Sequence, residues 1–304
     1  MSNNQGKPKI IAIVGPTASG KTSLSITLAK ELGGEIVSAD SRQIYRGMNI
    51  GTAKPSRDEL ALVPHHMIDV KNPSEEYSVA DYKRDALAAI NDIITRGKLP
   101  IIAGGTGLYI KAVIENLDIP AIKADPALRT KLEQEIKEKG LDALFKRLVA
   151  LDPEAAYIVD PKNPRRVVRA LEVAITTGKP FTAQRITGEP PFNSLTIGLD
   201  IAPEILRERI DRRIDEMMSD GLEEEVRELI KKYGANETAF DAIGYREIIG
   251  YLKSASSLPD AITAMKMNTW HYAKRQMTWF KKDKTIRWIK NPEEAITIAK
   301  DFLK

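Results

Sequence analysis

Residues 15–22 read Gly-Pro-Thr-Ala-Ser-Gly-Lys-Thr, a complete G-x-x-x-x-G-K-[ST] stretch, and they follow directly on the apolar run at 10–14. A short strand feeding a glycine-rich turn that opens a helix is the context this spacing requires. Gly15 and Gly20 let the backbone turn tightly and aim consecutive N–H groups inward, and a helix starting near Lys21 adds the positive end of its dipole. Anionic oxygens collect at such a place. Pro16, Thr17, Ala18 and Ser19 form the turn, Lys21 is placed to reach terminal phosphates, and the Thr22 hydroxyl is the expected ligand of Mg²⁺. The motif predicts a polyphosphate and is silent about which one.

Strand-like apolar runs at 35–39, 67–70 and 99–103 continue the one at 10–14. Between the last two, Ser78-x-x-Asp81 forms a capping box, opening a helix that runs to about Arg96 before Gly97 stops it. Strands alternating with helices predict a parallel α/β sheet. After residue 120 the character changes: 125–178 reads as helix only, with Asp125-Pro126, Asp152-Pro153 and Asn163-Pro164 as helix starts. Pro180 and the Gly-Glu-Pro-Pro segment at 188–191 lead to a strand at 195–201 that would rejoin the sheet, and the rest is helical apart from a short strand at 285–289. The expected fold is α/β, a P-loop core of residues 1–118 and 194–304 with an all-helical insertion at 119–193.

The 304 residues are 42% apolar and 29% charged, a composition that folds into an ordinary globular core. No apolar run approaches membrane-spanning length and the first nine residues are polar, so no membrane association and a cytoplasmic location are expected. The lack of cysteine removes disulfides, thiolate catalysis and Cys-based zinc sites, and three histidines leave little for another metal cluster. A bound metal has to be a hard ion on oxygens. Net charge is +4, but its placement says more. Lys274, Arg275, Lys281, Lys282, Lys284 and Arg287 interleave with Trp270, Tyr272, Trp279, Phe280 and Trp288, the mixture expected where cations meet phosphates and rings stack on bases. A terminal helix with buried aromatics and a wet lysine face has the same composition.

Ligands of open α/β sheets sit at the carboxyl ends of strands, so Asp40, just past the second strand, should share a crevice with the phosphate loop as a base or Mg²⁺ ligand, unless it merely caps a turn. Gly104-Gly-Thr106-Gly107 reaches the same edge; its N–H groups and the Thr106 hydroxyl suit a developing anion or the orienting of a nucleotide of the RNA, and a plain glycine turn is the alternative. Arg209 and Arg213 lie four residues apart on one helical face and could close on phosphates or pair with Glu208 and Asp211. Arg165, Arg166 and Arg169 pose the choice between RNA phosphates and an internal pair with Glu172. Ala242-Ile243-Gly244-Tyr245-Arg246 sets a flexible glycine before a ring and a cation, suited to stacking on a base or to a buried helix start. His65 and His66 should point to opposite faces of a strand, and the Glu223-Glu-Glu225 run should coat a helix.

Residues 15–22, Asp40-Ser41-Arg42-Gln43, residues 50–55, Gly104-Gly-Thr106, Arg165-Arg166-Val167-Val168-Arg169 with Ala-Leu-Glu172, Gly244-Tyr-Arg246 and Ala273-Lys-Arg-Gln-Met-Thr-Trp279 together resemble the tRNA dimethylallyltransferases, also called tRNA isopentenyltransferases. The likeness covers nearly the whole chain in the family's order. It implies a P-loop NTPase-like core and transfer of a dimethylallyl group from its diphosphate, with Mg²⁺, to N6 of the adenosine 3′ of the anticodon in tRNA. A monomer without the zinc-finger extension of some eukaryotic relatives is expected. It further implies that Asp40 is the base, that Lys21, Thr22, Thr106, Arg209 and Arg213 serve the diphosphate, and that the 40–43, 165–169 and 242–246 segments touch the anticodon stem-loop, with Lys274 and Arg275 adding charge. An exocyclic adenine amine is a poor nucleophile because its lone pair is delocalised, so a carboxylate that takes its proton makes physical sense.

A small-molecule kinase using ATP in the same loop, an adenylate isopentenyltransferase acting on free nucleotide, and a non-catalytic RNA-binding protein are the competing readings. Dependence on ATP separates the first, and activity on AMP the second. The third would show no turnover for Asp40→Asn to remove.

Overall fold

The computed structural model describes residues 6–118, 125–184 and 188–304. Contacts divide the chain into two compact units: residues up to 114 with 190–304, and residues 115–189. The expected start of the insertion at residue 119 lies outside the described residues.

The first unit is built on six strands, β1 (Lys9–Val14), β2 (Gly34–Ser38), β3 (His65–His66), β4 (Leu99–Gly104), β5 (Asn193–Leu199) and β6 (Arg287–Ile289), all parallel in the order β3-β2-β4-β1-β5-β6. A parallel sheet covered on both faces asks for apolar strands, and the runs in β1 and β4 supply them. Side chains alternate across the sheet. Ile10, Ala12 and Val14 pack with α3 (Val79–Thr95) and α4 (Gly107–Ile114), while Ile11 and Ile13 pack with α1 (Lys21–Leu32) and α13 (Pro292–Leu303). These isoleucines are fully buried, each contributing about 1.5–3 kcal/mol. Ser78 and Asp81 make the reciprocal capping box that starts α3, and Arg96 ends it.

The strand expected at 67–70 lies two residues earlier. Met67 and Asp69 take positive φ values of 63° and 55°, which an extended strand cannot contain. The turn they make lets Asp69 donate its N–H to the Gln43 carbonyl and pair through its carboxylate with Lys54. After α2 (Arg57–Leu62), His65 and His66 diverge as expected: His65 Nδ1 bonds the Val63 carbonyl and His66 Nε2 bonds Glu35. Glu35 is buried, and the Arg96 guanidinium on its other side, with His66, brings its carboxyl down to about 2.

Beyond β5, α9 (Pro203–Ser219), α10 (Leu222–Tyr233), α11 (Tyr245–Leu252) and α12 (Leu258–Phe280) enclose Ile44, Tyr45 and Met48 of the loop after β2 in one apolar cluster. That cluster holds α9 and α12 over the carboxyl edge of the sheet.

The second unit contains α5 (Pro126–Lys139), α6 (Leu141–Leu151), α7 (Ala155–Ile158) and α8 (Pro164–Thr177) around its own apolar core. Asp125 and Asn163 cap α5 and α8 as expected. Asp152 does not start a helix. It closes α6, and its buried carboxylate accepts the N–H and hydroxyl of Thr182. Glu172, fully buried, accepts two bonds from Arg129, one from Arg169 and one from the Asp125 N–H. Burial opposes its ionisation, yet these donors hold the carboxyl below its ordinary range.

Candidate active site

Because β1, β2 and β4 are parallel, the loops that leave them share one edge: the 15–22 loop, the Asp40 segment and the loop at 105–106. Gly20 takes φ 95°, a left-handed turn that lets α1 begin at Lys21. The first-turn N–H groups of that helix have no acceptor within it, and they face the crevice with the side chains of Lys21 and Thr22.

Two cavities adjoin there. One, about 190 Å³, is lined by the phosphate loop with Ser38, Glu59 and His65. The other, about 290 Å³, has apolar walls from Ile210, Ile214, Met217 and Met265, with Tyr272, Arg246 and Arg275 around it. Thr17, Ala18, Asp40, Thr52, Ala53 and Arg213 line both. Asp40 therefore stands at the junction of a polar cradle and a partly apolar chamber. Its Oδ1 accepts the N–H groups of Arg42 and, at 3.4 Å, Gln43, which fixes the carboxylate without consuming its second oxygen.

The cradle is cationic. Burial brings the Lys21 ammonium down to about 7, with Asp40 acting to raise it and Arg213 to lower it; Nζ donates to the Pro16 carbonyl at 2.5 Å. Burial likewise lowers Arg213 from its ordinary value. Two partly buried cations lining one cavity form a site that an anion would relieve. Arg209, half-buried one turn earlier on α9, is not among the residues lining either cavity.

Thr106 is engaged on three sides. Its N–H donates to the Ala39 carbonyl, its hydroxyl oxygen accepts the Ser41 N–H, and its side chain bonds Tyr272, whose hydroxyl burial has pushed up to about 12. The Thr106 N–H is thus spent on the backbone and its hydroxyl on Ser41 and Tyr272, and Thr106, like Arg209, is not among the residues lining either cavity. Ser41 and Arg42 line the larger cavity, but one arm of the Arg42 guanidinium donates to the carbonyls of Thr238 and Ala239. The Gln43 amide braces Ser38 against the carbonyls of Thr52 and Ala53.

Several expected surface residues prove to be core. Tyr245 is fully buried, stacked with Phe240, and its hydroxyl donates to Glu225 at 2.6 Å, so its ring is not available for a base. Ala242 is also buried, although it, Ile243 and Gly244 border the larger cavity. Val167 and Val168 fill the second unit's core, so the surface of α8 in that segment comes from Arg165, Arg166 and Arg169, of which Arg169 also serves Glu172. Lys274 lies over Trp270 and Arg275 over Tyr272, each cation set against a ring of its own helix.

Sequence reasoning missed two side chains that tie loops together. Glu225 does not coat a helix face: its carboxylate takes the N–H groups of Asn49, Ile50 and Gly51 as well as the Tyr245 hydroxyl, and so anchors the loop that supplies Thr52 and Ala53. Three consecutive glutamates hid the one that turns inward. Gln276 joins the phosphate loop to the loop after β4, and its spacing of four from Tyr272 is the signal that would have found it.

The IPP transferase family model matches residues 43–283. The tRNA dimethylallyltransferase of Pelotomaculum thermopropionicum is 45% identical over 309 aligned positions, covering 100% of this chain and 98% of that protein, and that of Geobacillus thermodenitrificans is 47% identical, covering 97% and 95%. Among solved structures, the full-length tRNA isopentenylpyrophosphate transferase of Bacillus halodurans is 42% identical with a TM-score of 0.73, covering 98% of this chain and 96% of that one. A eukaryotic dimethylallyltransferase acting on tRNA is 31% identical with a TM-score of 0.80, covering 97% and 79%. With likeness of this degree running from end to end over a phosphate loop, a junction carboxylate and a shared pair of cavities, the chain belongs to the IPP transferase family.

Proposed function

We propose that the protein transfers the dimethylallyl group of dimethylallyl diphosphate to N6 of the adenosine just 3′ of the anticodon in tRNA. The observation that carries this reading is the pair of cavities meeting at Asp40. A diphosphate suits the cradle of loop N–H groups, Lys21 and Arg213. The chamber beyond, with methionine and isoleucine walls and a tyrosine, suits a flipped base and a five-carbon tail. Attack of N6 on the allylic C1 forms the C–N bond as the C–O bond to diphosphate breaks; Asp40 takes the N6 proton and diphosphate leaves with the electron pair. Lys21, Arg213 and the first-turn N–H groups stabilise charge on the departing oxygen, and Thr106, tied to the Ala39 carbonyl and the Ser41 N–H, holds the Asp40 segment in place.

Mg²⁺ fits this site. The Thr22 hydroxyl lines the cradle as a hard oxygen donor, which suits a metal held by Thr22, water and substrate oxygens. When bound it would supply positive charge to the leaving diphosphate.

On the first unit, Ser41, Arg42, Arg246 and Arg275 line the chamber, Lys274 lies on the helix that walls it and Gln43 lines the adjoining cradle, and they support an anticodon-loop surface there. On the second unit, the α8 arginines would take stem phosphates. No described helix is long and apolar enough to cross a membrane, and a tRNA substrate puts the enzyme in the cytoplasm. One chain lines both cavities, so a monomer suffices.

Labelled dimethylallyl diphosphate offered with unmodified tRNA, an anticodon stem-loop or AMP tests the reading. Label is expected in both RNAs and absent from AMP; label on AMP alone would replace the acceptor, and no transfer to any of them would refute the function.

A further inference from the structure

Gln276 lies on α12 one turn beyond Tyr272, and only 6% of it is exposed. Both ends of its amide are used. Oε1 accepts the Thr17 N–H in the phosphate loop at 2.8 Å, and Nε2 donates to the Gly105 carbonyl at 2.9 Å. Those loops leave adjacent strands, β1 and β4, and their separation sets how far the phosphate cradle stands from Asp40. Thr106, next after Gly105, carries the same register onward by bonding the Ala39 carbonyl and the Ser41 N–H on either side of Asp40. The space at residue 105 is shaped for the amide. A Cβ there would lie 2.2 Å from Gln276 Nε2, while outside that side chain the nearest atom is the Gly15 carbonyl oxygen at 3.8 Å.

A primary amide presents one acceptor and one donor at a fixed spacing, which is what a facing N–H and C=O require. Without it, a part-buried N–H and a buried carbonyl lose their partner and the loops lose their spacer. We propose that Gln276 is a positioning residue that holds the phosphate loop at a set distance from the Gly105 loop, so that the departing diphosphate and Asp40 stay in register for prenyl transfer. This rests on the proposed transferase function. Because α12 also carries Tyr272 and Arg275 into the larger cavity, one helix registers both halves of the site.

The test is a double-mutant cycle with Gln276→Ala and Gly105→Ala in the full chain, read by transfer kinetics, by calorimetric affinity for dimethylallyl diphosphate and by tRNA affinity, well below each variant's Tm. Gln276→Ala removes the spacer, and Gly105→Ala displaces it from the opposite side while leaving it present. Each is expected to lower kcat/KM on the order of 100-fold, the scale of a misplacement of about 1 Å, and to weaken diphosphate binding at least about tenfold with tRNA affinity unchanged. The combined variant is expected to be no worse than Gln276→Ala alone, because the methyl group then meets no amide. Wild-type kinetics and affinity in either single variant, or losses that multiply in the pair, would overturn the proposal. A parallel fall in tRNA affinity would overturn it too, since that marks general destabilisation. If wild-type protein transfers no label, the transferase reading fails separately, and diphosphate affinity still decides whether Gln276 spaces the loops.

Discussion

Lys21 is held near neutrality by burial, so the charge that a diphosphate needs is only partly present in the free protein. With a free value of about 7 and an ordinary ammonium near 10.4 as the bound limit, binding must take up a proton wherever the lysine has lost one. The direction follows from the sign of the shift: a depressed lysine favours the neutral form above pH 7, the ligand favours the charged form, and affinity therefore falls as pH rises. The protonated fraction drops about 75-fold between pH 7.5 and 9.5, or about 2.5 kcal/mol of apparent binding energy. The ligand does not confuse the measurement, since the last ionisation of a phosphate monoester, near 6, is already complete. Calorimetry with dimethylallyl diphosphate, in buffers of different ionisation enthalpy, reads both the affinity and the proton uptake. Lys21→Arg keeps a cation that does not titrate and should flatten the profile. A wild-type affinity that changes less than about threefold across this range, or an equal slope in Lys21→Arg, would refute the reasoning.

Asp40→Asn should lower single-turnover transfer about 10²–10⁴-fold while tRNA affinity stays within twofold of wild type, roughly, and normal turnover would remove Asp40 as the base. If Arg165, Arg166, Arg169, Lys274 and Arg275 meet phosphates, the log–log salt slope of tRNA binding should be near −4, roughly a 250-fold loss from 50 to 200 mM; a slope shallower than about −1 would place those charges elsewhere. Arg96→Met leaves buried Glu35 with His66 alone, and at pH 7 should cost about 2 kcal/mol, roughly 3 °C in Tm. Glu35 is depressed when folded, so its contribution is full above its unfolded value near 4.3 and is lost as pH falls toward 2; the difference in Tm between wild type and variant should narrow below pH 4.

The phosphate loop, the buried strands and the capped start of α3 were legible because each is written within a dozen residues: a glycine spacing, an apolar run, a Ser-x-x-Asp box. The core of the site is not local. Glu225 looks like its neighbours until three backbone N–H groups from residues 49–51 converge on it. Tyr245 has the composition of a stacking residue, and only the packing of α10 against α11 turns it inward. The strand expected at 67–70 failed for a similar reason, since the apolar run reads as β while the ties from Asp69 to Gln43 and Lys54 demand a turn. Val167 and Val168 match the family's motif and still serve the core of the second unit, so a motif can mark a helix without every residue in it meeting a ligand.

The most direct measurement is the stoichiometry of the reaction with ATP omitted: purified protein, Mg²⁺, dimethylallyl diphosphate and unmodified tRNA, with inorganic diphosphate released and N6-dimethylallyladenosine counted after digestion of the RNA. One diphosphate per modified adenosine, mapped to the position 3′ of the anticodon, is the predicted result. No modified base without ATP, with phosphate appearing when ATP is added, would return the phosphate loop to a kinase and contradict the account.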